Sequence, residues 1–168
     1  MKFHPLANIF PLMEGAEVDA LVADIKAKGL HDRIDLYQGK IVDGRNRYRA
    51  LRQLGIDPSD DPKKYFRNAI YAHAVGGPAG HEQSNDERVR AYVISKNIHR
   101  RHLTAEQRRD LLVKVVAAQP DKSDRAIACE ANVDHKQISR ARRKAESTGA
   151  IAPVEKRTGA DGKVRQLR

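Results

Sequence analysis

The sequence predicts an α+β chain: a small α/β module over residues 1–80, an all-α module over 81–150 and a basic, flexible tail over 151–168. Three observations predict it. Short β-prone runs flanked by amphipathic helical segments occupy the first part of the chain. The Gly76-Gly77-Pro78-Ala79-Gly80 loop then breaks it, and the reading beyond is helical as far as residue 146. Charge divides in much the same region. Residues 1–87 carry 12 Lys and Arg against 13 Asp and Glu, a net of −1, and residues 88–168 carry 20 against 9, a net of +11. A near-neutral half joined to a basic one pairs a globular module with a polyanion-binding one, or else with a well-solvated surface.

The elements follow in order. Val18, Leu21, Val22 and Ile25 make one apolar face of a helix over 17–28, with Gly29 at its C-terminal cap. Ile34–Tyr37 and Lys40–Val42 read as a hairpin about a Gln38-Gly39 turn. Asp43-Gly44 ends the second strand, and a helix runs from Arg45 to Leu54 before Gly55. Ile70–Val75 reads as a further strand. Helices are then expected over 85–97, 104–118, 123–132 and 135–146, the second capped by Thr104 and Gln107 over an apolar face of Leu111, Leu112, Val115 and Val116. Polar, glycine-containing sequence from Pro153 to Arg168 predicts a mobile end.

Composition narrows the function. Three Phe, five Tyr and no Trp leave little for a base-stacking platform. Apolar runs are only a few residues long, so no membrane span is expected, and the start lacks a secretory signal; a cytoplasmic, nucleoid-associated protein is the expectation. The single cysteine, Cys129, excludes an internal disulfide and reads as a buried small hydrophobe. His99 and His102 form the one helically spaced histidine pair and lack ligand partners, so no metal site is expected.

The sharpest local signal lies at 123–143. Ala128 is small where two helices must approach, and Asn132, four residues on, tolerates a left-handed turn. Ile127, Val133 and Ile138 plug the angle between the helices, while Asp134 and Gln137 start the second helix. This is the spacing of a DNA-binding helix-turn-helix, whose second helix lies in the major groove. His135, Lys136, Gln137, Ser139 and Arg140 are the candidate base readers. Arg142, Arg143 and Lys144 are assigned to phosphates, Arg125 reaches the backbone from the first helix, and Ser123 completes the DNA-binding set. The competing reading is a generic helical pair with a basic face.

A second signal is Asp43-Gly44-Arg45-Asn46-Arg47-Tyr48-Arg49-Ala50, with three arginines at the start of a helix where the dipole disfavours cations. They form either an anion pocket or a surface network with Asp32, Asp35 and Glu17.

These segments, followed by Asn97-Ile98-His99-Arg100-Arg101-His102 and the helix-turn-helix, resemble the ParB family over about residues 4–146. The resemblance implies a ParB/sulfiredoxin-like N-terminal fold that binds a cytidine nucleotide. Gly44, Arg47 and Ala50 match the family's Gly-x-x-Arg-x-x-Ala turn, and Lys96, Asn97 and Arg100 correspond to its Glu-Asn-x-x-Arg box. The implied nucleotide-binding set is Gly44, Arg45, Asn46, Arg47, Arg49, Asn97, Arg100 and Arg101, taking CTP or another nucleotide with or without magnesium. Lys96 in place of the acid departs from the metal-assisted hydrolysis of the family. The family's sulfiredoxin relatives carry a nucleophilic cysteine in this turn, where the chain has Arg45, so thiol-repair chemistry is not expected. Together these features lead to the expectation of a sequence-specific binder of double-stranded DNA, self-associating as a homodimer, in partition or transcriptional regulation of a plasmid, phage or integrated element. The alternative is a nucleotide triphosphatase or nuclease that uses the 44–50 turn.

Overall fold

The computed structural model describes residues 1–69, 84–99 and 103–166. Helices mix with small sheets, and the chain divides into two units, Met1–Ala74 and Val75–Arg168. The expected strand at Ile70–Val75 and the glycine-rich break lie outside the described residues. Among the described residues no helix is long and apolar enough to cross a membrane.

The first unit opens with a 3-10 turn, Pro5–Ile9, and helix α1, Ala16–Lys28, which stops at Gly29 (φ 77°). The hairpin follows as β1, Ile34–Tyr37, and β2, Lys40–Asp43. Gln38 (φ 50°) and Gly39 (φ 69°) both take positive φ, as a two-residue hairpin turn requires. A bulge between Asp35 and Leu36 shifts the register, so Asp35 faces Asp43 and Leu36 faces Ile41. Helix α2, Arg45–Gln53, leaves the sheet through Gly44, whose left-handed backbone (φ 91°) suits glycine. A short helix α3, Pro62–Tyr65, leads into β3, Phe66–Asn68, which pairs parallel to β1 and gives the order β2-β1-β3. Ile25, Ile34, Ile41, Ala50, Leu51, Tyr65 and Phe66 close the core between α1, α2 and the sheet.

Among the described residues of the second unit four helices come first, each capped by the residue type that satisfies its first N–H groups. Helix α4, Asn85–Ile98, and α5, Ala105–Ala117, carry reciprocal capping boxes, Ser84 with Glu87 and Thr104 with Gln107. Ser123 caps α6, Asp124–Ala131, and Asp134 caps α7, His135–Ser147. Helix α7 packs against both α5 and α6, and α4 packs against α6. Ile94, Ile98, Val115, Val116, Ile127 and Ile138 are fully buried in this unit.

One expectation is corrected here. The stretch expected to be mobile folds into a hairpin of β4, Lys156–Thr158, and β5, Val164–Gln166. Its anchor is backbone pairing: Thr158 N–H donates to Asp121 O (2.8 Å) and Ser123 N–H donates to Thr158 O (2.8 Å). Low hydrophobicity concealed this, because the ordering comes from a strand partner some 35 residues away in sequence.

Candidate nucleic-acid interface

Helices α6 and α7 meet at Asn132, whose backbone is left-handed (φ 51°, ψ 50°). Val133 N–H donates back to Ala128 O (3.0 Å), closing the end of α6. Ile127 and Ile138 are fully buried at the angle, and Ala128 is buried where its small side chain lets the helices approach. The turn has a further tether: His99, at the end of α4, places Nε2 3.2 Å from Ala131 O and 3.1 Å from Asn132 O. Two carbonyl acceptors put the proton on Nε2.

The buried side of α7 is fastened by an ionic clasp. Asp124 accepts from Ser139 Oγ (2.6 Å) and Arg142 Nε (2.6 Å). Arg142 also donates to Pro120 O (3.0 Å) and Lys122 O (2.6 Å), and is itself buried. Burial pushes the Asp124 carboxyl up, but the hydrogen bonds from Ser139 and Arg142 and the cationic charge around it outweigh that and hold it below the ordinary carboxylate value. The phosphate role expected of Arg142 does not hold, because its guanidinium is consumed inside the fold. Ser139 is half-buried with its hydroxyl on Asp124, and the Ser123 hydroxyl accepts the Ala126 N–H as a helix cap (3.2 Å).

The outer side of α7 carries four of the five expected base readers, and the fifth, Ser139, is turned inward onto Asp124. His135, Lys136, Gln137, Arg140 and Arg143 are exposed, as is Arg125 on α6. Gln137, Arg140 and Lys144 line a groove with Arg108 and Arg109 of α5. Sequence reading passed over that arginine pair. Its signal was two cations in the first turns of a capped helix, where the dipole disfavours them. Arg108 Nε is buried with no hydrogen-bond partner among the described residues. Lys144 pairs with Asp110 at 2.8 Å, both side chains exposed. Cys129 corrects another expectation: it is exposed, since the buried stripe of α6 runs through Ala126, Ile127, Ala128 and Ala131.

Comparison of the chain with protein-family models, with curated proteins and with solved structures found no match.

In the first unit the arginine-rich turn is bound up with its own chain. Arg45 donates to Asn8 Oδ1 (3.0 Å) and to Phe10 O, and Arg49 donates to Met13 O (3.3 Å). Asn46 Oδ1 accepts from Met13 N–H (3.2 Å). Residues 8–13 are thereby held against the start of α2. Arg47 bridges Asp32 (3.1 Å) and the buried Asp43 (3.1 Å). Its fold-back is possible because Gly44 lacks a Cβ, which would lie 2.9 Å from Arg47 Nη2. Of the acids weighed from sequence, Asp32 does take Arg47, whereas Asp35 binds Arg67. Asn97 belongs to the second unit, where it is buried and donates to Val93 O (2.8 Å) within α4. Arg100 and Arg101 lie outside the described residues. Among the described residues no three His, Cys, Asp or Glu side chains converge as metal ligands.

Proposed function

We propose that this chain is a sequence-specific double-stranded DNA-binding protein of ParB-like type, acting as a homodimer in partition or in transcriptional regulation of a mobile element. The observation that carries the reading is the two-sidedness of α7. Its inner side is locked by Ile138 and the Arg142–Asp124 clasp, and its outer side offers Lys136, Gln137, Arg140 and Arg143 to solvent. A helix held rigidly from behind, with long amide and guanidinium side chains in front, suits insertion into a major groove, where Gln pairs with adenine and Arg with guanine edges. Selection of duplexes from a random pool, followed by binding to the recovered site, tests this. Arg140→Ala weakens the recovered site by about 1–3 kcal/mol and relaxes its sequence, whereas Arg143→Ala weakens all duplexes alike. A pool that yields no preferred sequence overturns the reading.

A nucleotide at the Gly44 turn is favoured by one observation. The outer partner of Arg47, Asp32, has a 40% exposed side chain, so a phosphate can reach and replace it while the buried Asp43 keeps its place. Calorimetric titration with CTP, with and without magnesium, is expected to give binding that Arg47→Ala abolishes. No heat with any of the four ribonucleoside triphosphates removes this reading and leaves the DNA reading intact.

A further inference from the structure

The hairpin β4–β5 stands beside the helix-turn-helix, and nothing in the DNA reading so far uses it. Residues 156–166 hold four cations, Lys156, Arg157, Lys163 and Arg165, against one acid, Asp161. Lys156, Lys163 and Arg165 are exposed. Hydrogen bonds from Thr158 to Asp121 and from Ser123 to Thr158 fix the base of the hairpin at the start of α6, so its position relative to α6 and α7 is set by backbone pairing. Between them runs an open cleft. Asp124, Arg125 and His135 are among the residues that line it from the helix-turn-helix, and Arg157, Asp161 and Arg165 among those from the hairpin. Its three arginines outnumber its two acids, and each acid is already paired with an arginine, Asp124 with Arg142 and Asp161 with Arg165.

The hairpin end is arranged around one of those arginines. Arg165 donates from Nη1 and Nη2 to the two oxygens of Asp161, at 2.8 and 2.6 Å. Gly159 makes room for the pair: a Cβ there would collide with the guanidinium and lie 2.6 Å from Asp161 Oδ1. Both side chains are about half exposed, and an ion pair in that setting contributes little, so Arg165 can exchange a carboxylate for another two-oxygen anion at small cost. A phosphodiester offers the same bidentate geometry.

We infer that the 156–166 hairpin is a second DNA-contacting element, with Lys163 and Arg165 binding the phosphate backbone beside the groove that α7 enters, and with Asp161 holding Arg165 in place until a phosphate replaces it. This rests on the DNA reading above and extends it to a surface that reading left idle. The hairpin adds affinity without sequence choice, because its contacts are to phosphate.

The test uses the full chain and a fluorescein-labelled random-sequence duplex of about two helical turns, followed by anisotropy from about 50 to 200 mM salt. Lys163→Gln and Arg165→Gln each lower the slope of log affinity against log salt by about 1, and each weakens binding several-fold at low salt. Asp161→Asn acts in the opposite direction, tightening binding by about threefold, because it releases Arg165 and removes a charge that repels phosphate. Thermal melts of the variants confirm an unchanged fold. If Arg140→Gln weakens binding while Lys163→Gln and Arg165→Gln keep the wild-type slope, the hairpin proposal falls alone and the DNA reading stands. If Asp161→Asn weakens binding, the exchange of carboxylate for phosphate is overturned. If the wild-type chain binds no duplex, both readings fall.

Discussion

At the residue scale the molecule turns on Asp124. One carboxylate holds a serine and an arginine of α7, and Arg142 has two further carbonyl acceptors, so the group ties α6, α7 and the 120–122 loop together. Removing one partner of such a buried set strands the other. Asp124→Ala therefore destabilises the second unit by about 3 kcal/mol, measured by denaturant unfolding. The same residue sets an acid limit. Its folded-state pKa lies below the unfolded one, so its stabilisation is complete above the unfolded value of about 4 and is lost as pH falls through the folded value. The wild-type melting temperature drops on acidification below about pH 4, and Asp124→Asn flattens part of that drop. Asp24 and Asp110 are also held low, by Lys28 and Lys144, and Asp57 by the Ser59 N–H; all three are solvent-exposed, where water screens the pairing.

At the element scale the decisive feature is the angle between α6 and α7. Asn132 sits in the left-handed region, which costs a β-carbon-bearing residue about 1–2 kcal/mol unless its side chain compensates. Asn132→Gly is accordingly neutral to slightly stabilising, and Asn132→Val loses about 2 kcal/mol with duplex binding weakened in proportion to the fraction unfolded. Chemical denaturation and anisotropy on the same samples check both. This turn was legible in sequence, since Ala128, Asn132 and the Asp134 cap act on their own few residues. The Thr104 cap is local in the same way, and the observed boundaries of the four helices fall within about two residues of the expected ones. Strand β3 was missed for the opposite reason. Phe66-Arg67-Asn68 has no alternating pattern, and it is a strand because β1 lies alongside it. Hairpin β4–β5 was missed likewise.

At the scale of the whole molecule, the division of charge between the two halves corresponds to a division of roles. The first unit uses its arginines to bind its own chain, and the second turns many of its cations outward. Arg47→Ala removes a partner from the buried Asp43 and lowers the stability of the first unit by about 1–3 kcal/mol, while anisotropy shows basal duplex binding unchanged, because the residues proposed to contact DNA all lie in the second unit. Loss of duplex binding in a variant that remains folded would assign the first unit a direct part in DNA contact.

By itself the sequence determined the longer helices, the caps at Gly29, Thr104 and Asp134, the first hairpin and the turn between α6 and α7. Each of these follows from interactions among residues a few positions apart, where side-chain type and periodicity suffice. Only the tertiary structure decided which charges are available. Arg142 and Arg143 are adjacent cations in one helix, yet the first is buried on Asp124 and the second is exposed. The Gly44 arginines left an anion pocket and a surface network equally open in sequence, and the tertiary structure gives each of them an acceptor on residues 8–13, 32 or 43. A charge's partner is set by distance in space, and a linear pattern does not encode it.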